Sequence, residues 1–242
     1  MQLSKETVVV LKNFAEINQN LWIDVGNMVH TKAPSSNIYA RAELKETFER
    51  EFGIYNLGQI VGILGMIDAP QFEVDETSIT IGDEKVESVR QPHATKNVLT
   101  IPERALNLDV KRAESVIKVL EGTLNKIRSV GKTLNLPHVR FYANDDNQLM
   151  AEVFDNGNSS TTRYGMLIGD TVPEGFSYLL KLENLRLIPG PYEIRFYPKA
   201  GKFPAAVEFV LLADEMKVTY IVACEIVKTG APTKVEEAAD ED

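Results

Sequence analysis

The side chains in this sequence able to do metal or acid–base chemistry are few: three histidines, His30, His93 and His138, one cysteine, Cys224, and the adjacent carboxylates Asp145 and Asp146. A zinc site needs three or four converging ligands, and no HExxH or CxxC spacing places even two on one turn. Satisfied or exposed histidines are the expectation. Asp145 and Asp146 lie in ANDDNQ between two alternating runs, where Asp and Asn serve turn geometry. Gly131-Lys132-Thr133 resembles the end of a phosphate-cradling loop, but Lys126 stands where its first glycine belongs, and the loop would follow a helix instead of a strand. Cys224 falls in VTYIVACEIV, whose alternation suggests a strand and a buried thiol with no base beside it. The sequon Asn158-Ser-Ser160 has little meaning where the N-terminus shows no export signal. With no GxSxG and no grouping of Ser, His and Asp, the reading is of a protein that is not an enzyme and uses no cofactor and no metal.

Lysines at heptad spacing offer a different chemistry, contact with a polyanion. In VKRAESVIKVLEGTLNKI, Val110 to Ile127, the residues Ala113, Val116, Ile117, Leu120, Leu124 and Ile127 form an apolar stripe at helical spacing, with Lys111 and Lys118 across from it. The N-terminal segment repeats the plan. Ser4 is a good N-cap, Leu3, Thr7, Val10, Leu11 and Phe14 share one side, and Lys5 and Lys12 fall opposite. One such pair is ordinarily a solvated face. Its recurrence in the helix expected to open each half favours two equivalent basic faces, with duplex DNA as the natural extended anion. Sequence-specific reading is not expected, because neither segment clusters Arg, Asn and Gln suited to base edges.

The bulk numbers fit a local basic face only. The 242 residues carry a formal charge of -9, part of it from five carboxylates in the last seven residues of KVEEAADED. Such a chain does not wrap nucleic acid with its whole surface. No apolar run approaches the roughly 20 residues of a bilayer span, so a soluble protein with no membrane partner is expected, and a lone cysteine points to a reducing compartment.

The elements read as one plan written twice. After the first helix, NLWIDV, NMVHTKA, NIYARAELK and ETFEREFGIYN suggest strands. A short helix follows at LGQIVGILGMI, with Leu57, Ile60, Val61, Ile63, Leu64 and Ile67 inward, then strands at FEVD, SITIG and KVESV. In the second half the expected strands are HVRFYAN, QLMAEVFD and YGMLIGD, then a short helix at YLLKLENLRL, then PYEIRFY, AAVEFVLL and KVTYIVACEIV. The boundaries read from this are 1–95 for a first domain, 96–108 for a connection with the first strand of the second half, 109–228 for a second domain and 229–242 for a solvated acidic tail.

MQLSKETVVVLKNFAEIN, EFGIYNLGQIVGILGMI and FSYLLKLENLRLIPGPYEIRFYPKAGKFPAAVEF together resemble the DNA polymerase processivity clamp of T-even-type bacteriophages. The resemblance implies an α+β DNA-clamp fold, with two similar domains, each with antiparallel sheets outside and two helices inside. It implies a homotrimeric ring around duplex DNA, related to proliferating cell nuclear antigen and the bacterial beta clamp. The partners implied are the replicative DNA polymerase, an ATP-driven clamp loader and late-transcription factors, in the cytoplasm of the infected bacterial host. Basic residues of the lining helices would face the duplex: Lys5 and Lys12 in the first half, Lys111 and Lys118 in the second, with Lys126, Arg128 and Lys132 behind them. A structural virion or scaffold protein is the competing reading, although it has no need of matched lysines.

Overall fold

The computed structural model describes residues 1–83, 85–158, 160 and 162–225; the expected acidic tail from 229 lies outside them. The first helix, α1 (Lys5–Ile17), starts where Ser4 caps it, its hydroxyl accepting from the Thr7 N–H at 3.2 Å. Glu46 adds a second acceptor for the Ser4 N–H and the Thr7 hydroxyl, both at 2.5 Å. A carboxylate there also complements the positive end of the helix. Thr7, Val10, Leu11 and Phe14 are buried, as the spacing predicts, Ile17 joins them, and Leu3 is partly buried.

The chain continues as β1 (Leu21–Ile23), β2 (Gly26–Lys32), β3 (Ile38–Phe48) and β4 (Phe52–Ile54), then α2 (Leu57–Leu64), β5 (Phe72–Val74), β6 (Ser78–Asp83) and β7 (Glu87–Pro92). A segment without strands follows, and Leu106 in it donates its N–H to the Tyr39 hydroxyl on β3 at 3.1 Å.

The second half departs from the expected helix. The stretch from Val110 to Ile127 divides into a 3-10 turn at Val110–Arg112, a strand β8 (Ser115–Val119), and only then α3 (Thr123–Thr133). The apolar residues there satisfy both periods, but Val116, Ile117 and Val119 are β-branched and stiff at χ1, which favours the pleated form. β8 pairs with the strand Tyr192–Tyr197, whose Tyr192, Ile194 and Phe196 are buried, and Gly122, at φ 90, supplies a left-handed turn before the helix. Leu120 is 82% exposed and Val116 46%, so the supposed helical stripe is not a buried face.

The strands β9 (His138–Ala143), β10 (Gln148–Phe154), β11 (Tyr164–Thr171) and β12 (Ser177–Lys181) come next. The expected helix at YLLKLENLRL is instead β12 and a 3-10 turn, Leu182–Asn184, because Tyr178 and Leu180 alternate inward against Phe141 and Val139 of β9. The last strands are β13 (Tyr192–Tyr197), β14 (Ala206–Leu211) and β15 (Lys217–Ala223).

All pairings are antiparallel, in three sheets: eight strands in the order β4-β1-β2-β3-β15-β14-β13-β8, four in the order β11-β10-β9-β12, and three in the order β5-β6-β7. The repeat is visible in these orders. The block β4-β1-β2-β3 has its counterpart in β12-β9-β10-β11, and β5-β6-β7 has its counterpart in β13-β14-β15. Gln2 bridges to Gln71 beside β5 as β8 pairs with β13. The Ala94 N–H bonds the Gly53 carbonyl of β4, and the Glu225 N–H bonds the Leu179 carbonyl of β12, so the residues after each half's last strand tie back to its fourth. The halves join where β15 pairs with β3, reinforced by Lys217–Glu43 at 2.9 Å.

Candidate nucleic-acid interface

α1 packs on the face of β3 that carries Ile38, Ala40, Ala42 and Leu44, with α2 beside it. Its far side carries Lys5 and Lys12, both exposed. Seven residues apart at about 100° per residue, they lie within about 20° of each other around the helix.

The segment from Leu182 to Ile188 lies between α1 and α3 and fixes them to one surface. Asn13 of α1 donates to the Arg186 carbonyl at 2.9 Å, and the Tyr220 hydroxyl donates to Asn13 Oδ1 at 2.8 Å. Arg186 reaches the Glu16 carbonyl at the end of α1. From the other side Arg128 of α3 donates to the Leu187 carbonyl at 3.0 Å. α3 buries Leu124, Ile127 and Gly131; an added Cβ at Gly131 would stand 2.3 Å from Leu182 Cδ2, so glycine permits this close approach. Lys126 and Lys132 remain exposed, flanking the outward Ser129 and Thr133, whereas Arg128 is half-buried.

Of the expected contact residues, the structure brings Lys5, Lys12, Lys126 and Lys132 to the helix-bearing surface, with Arg128 serving to hold α3 against the segment beside it. Lys111 and Lys118 are corrected. Lys111 sits in the 3-10 turn before β8, and Lys118 lies on β8 opposite Glu193 of β13. Ile117 and Val119 point inward from that strand, so Lys118 points away, to the sheet face opposite α1. Sequence reasoning missed Lys181, which ends β12 and stands with Arg128, Lys132 and His138 around an open cleft of about 570 Å³.

Cys224, His30, Asp145 and Asp146 each have a structural setting. Burial pushes the Cys224 thiol up to about 12, with the Glu225 carboxylate adding to the shift, so it is held as a neutral thiol. Burial also lowers the His30 pKa, and its Nδ1 lies 2.7 Å from the Tyr39 hydroxyl. Asp145 and Asp146 occupy a turn in which Asn144 Oδ1 accepts from the N–H groups of Asp146 and Gln148. Among the described residues no three of His, Cys, Asp and Glu gather as metal ligands, and no helix is long and apolar enough to cross a membrane.

A repeated sheet plan with helices on one surface is the architecture of the DNA clamps. The proliferating cell nuclear antigen of A. fulgidus, solved with the C-terminal region of FEN-1 bound, superposes with a TM-score of 0.65 at 13% identity, over 90% of this chain and 94% of that one. That of Entamoeba histolytica gives 0.61 at 12%, over 91% and 95%. By fold, then, the chain has the architecture of these clamps.

Sequence comparison narrows the class. The family model described as DNA polymerase processivity factor matches residues 4–99. The sliding clamp of Enterobacteria phage T4 is 26% identical over 85% of this chain and 91% of the relative, and that of Escherichia phage RB69 is 25% identical over 93% and 97%. The sliding clamp of Vibrio phage KVP40 is 24% identical over 82% and 91%. The chain is thus similar along most of its length to the phage sliding clamps, and its first half matches the DNA polymerase processivity factors.

Proposed function

We propose that three copies close head to tail into a ring around duplex DNA, with α1, α2 and α3 lining the hole, and that the ring tethers the replicative polymerase. The observation carrying this reading is a pair of open edges. Within the chain β15, the last strand of the second half, pairs with β3 of the first. The counterparts, β7 and β11, are edge strands, paired with β6 and β10 on one side and with no strand on the other among the described residues. One chain has used its single junction already, so β7 of one copy meets β11 of the next, a heterologous contact that closes into a ring. An open edge is a template for such pairing.

The internal repeat supplies the register. Matching Ala94 with Glu225 and Gly53 with Leu179, then following the ladders and counting one residue past β7 into the turn before it, makes Val86 the counterpart of Lys217 and Leu167 that of Glu43. Lys217 faces Glu43 across the existing junction, so Val86 faces Leu167 across the new one. These residues are 82% and 53% exposed in the isolated chain, and pairing would cover both.

The mechanism follows from topology. A closed ring stays on DNA by enclosing it, so Lys5, Lys12, Lys126 and Lys132 need only touch phosphates in passing, while the net charge of -9 discourages adhesion elsewhere. The clamp loader that opens the ring, the late-transcription factors and the host cytoplasm belong to the same proposal, as does a division of the chain near the segment after β7. Mass measurement in solution combined with loader-dependent stimulation of a polymerase tests it. A species of about 81 kDa, three chains of 27.0 kDa, with stimulated synthesis is expected. A stable monomer giving no stimulation would count against it.

A further inference from the structure

The cleft beside α3 exists because the repeat is imperfect. In the first half α2 packs along α1; in the second, the 3-10 turn Leu182–Asn184 stands in its place and is too short to cover the end of α3. The opening is about 570 Å³ and is lined by Arg128, Lys132, Asn135, His138, Lys181 and Glu183. Three cations face two carboxylates there, Glu183 in the lining and Glu225 beside Lys181, which leaves a net positive charge. Arg128 spends one N–H on the Leu187 carbonyl, and the His138 Nδ1 accepts the Asn156 N–H, so neither neutralises the excess charge. The last described residue, Glu225, stands at this site: its N–H bonds Leu179 on β12, and its carboxylate lies 4.0 Å from Lys181 Nζ.

Beyond Glu225 the chain has 17 more residues, ending EEAADED. About ten residues separate Glu225 from the first of those carboxylates, a reach of up to about 35 Å if extended. A tethered segment of that length is present at roughly millimolar effective concentration. We propose that the acidic segment 236–242 of the same chain docks in the cleft of Arg128, Lys132 and Lys181 and shields it. A thin peptide can carry several carboxylates into a recess, whereas the phosphates of a duplex meet the crest of α3 first. The cleft is then a place where the chain supplies its own anion in competition with DNA, the competition resting on the encirclement reading and the docking not.

The test uses the full-length protein and a full-length variant with Glu236→Gln, Glu237→Gln, Asp240→Asn, Glu241→Gln and Asp242→Asn. Amine acylation is followed by mass spectrometry at low salt without DNA. Docking predicts that Lys132 and Lys181 react at least about twofold faster in the variant, that Lys199 is unchanged, and that the difference disappears near 0.5 M salt, where screening is short-ranged. Carbodiimide should also link the native tail to Lys132 or Lys181. Equal rates in both proteins and no such link would overturn the proposal. Protection of the same lysines by duplex DNA alone, identical with and without the tail charges, would overturn it too while supporting encirclement. Rates that respond to the tail in a protein that does not encircle DNA would uphold the docking and sink the clamp reading separately.

Discussion

Replacing Lys5 and Lys12 with alanine removes two of the four exposed lysines that each chain presents on its helix-bearing surface. Seven residues of helix separate them by about 10 Å along the axis, so one phosphate cannot serve both and they count separately. If all twelve lysines of a trimer were engaged, log K against log salt would fall with a slope of about -11; a ring that slides must engage far fewer. With about four phosphates touched at a time the slope is about -3.6, and affinity drops about 150-fold between 50 and 200 mM salt. Losing the α1 lysines should halve the slope to about -1.8 and the drop to about 12-fold. Fluorescence anisotropy on a short duplex, titrated with salt, reads this directly, and thermal unfolding should be unchanged because neither side chain is buried. An identical slope in both proteins would refute the placement of α1 against DNA. A native slope near -11 would refute passing contact as the mode of hold.

Gly53→Ala should destabilise the chain by about 1–3 kcal/mol in urea titration, since its Cβ would stand 2.2 Å from the Ala94 carbonyl oxygen and 2.9 Å from Leu99 Cδ1. Tyr220→Phe leaves the buried Asn13 Oδ1 without its donor and should cost about 1–3 kcal/mol, with the DNA salt slope unmoved because the site is beneath α1. His30 has a folded pKa below its ordinary 6.5, so the unfolded chain binds more protons in that range. Its stabilisation is complete above about pH 6.5 and is lost as pH falls; the slope of stability against pH between about 7 and 5 should flatten in His30→Gln. Protonation would also turn Nδ1 into a donor against the Tyr39 hydroxyl, so native but not His30→Gln protein should become easier to cleave near Leu106 in mild acid.

The first half was readable because local and tertiary signals agree there. Ser4 caps, the spacing of Thr7, Val10, Leu11 and Phe14 is helical, and Lys5 and Lys12 fall outside. Between Val110 and Ile127 they disagree. Helical spacing and β-branching compete, and the strand wins because β13 offers Tyr192, Ile194 and Phe196 as partners more than 70 residues away, which no local pattern reveals. That one error moved Lys111 and Lys118 off the helix and brought Lys126 and Lys132 forward. The missing helix after β12 follows the same logic, as Leu179 and Leu180 are consumed by pairing with β9. The cleft could not be seen at all from spacing, because it is made by the absence of an element; Gly131 was its only trace, a small residue kept where Leu182 comes close.

Ring closure through β7 and β11 is tested most directly by covalent capture. Val86→Cys and Leu167→Cys, in a Cys224→Ser background, would face each other across the junction at a Cα separation of about 4.5–5.5 Å, within disulfide reach. After loading onto circular and linear duplexes and oxidation, the account predicts a cross-linked species of three chains that survives a high-salt wash on circular DNA and is lost from linear DNA. Failure of the pair to cross-link, or equal retention on both DNA forms, would contradict it.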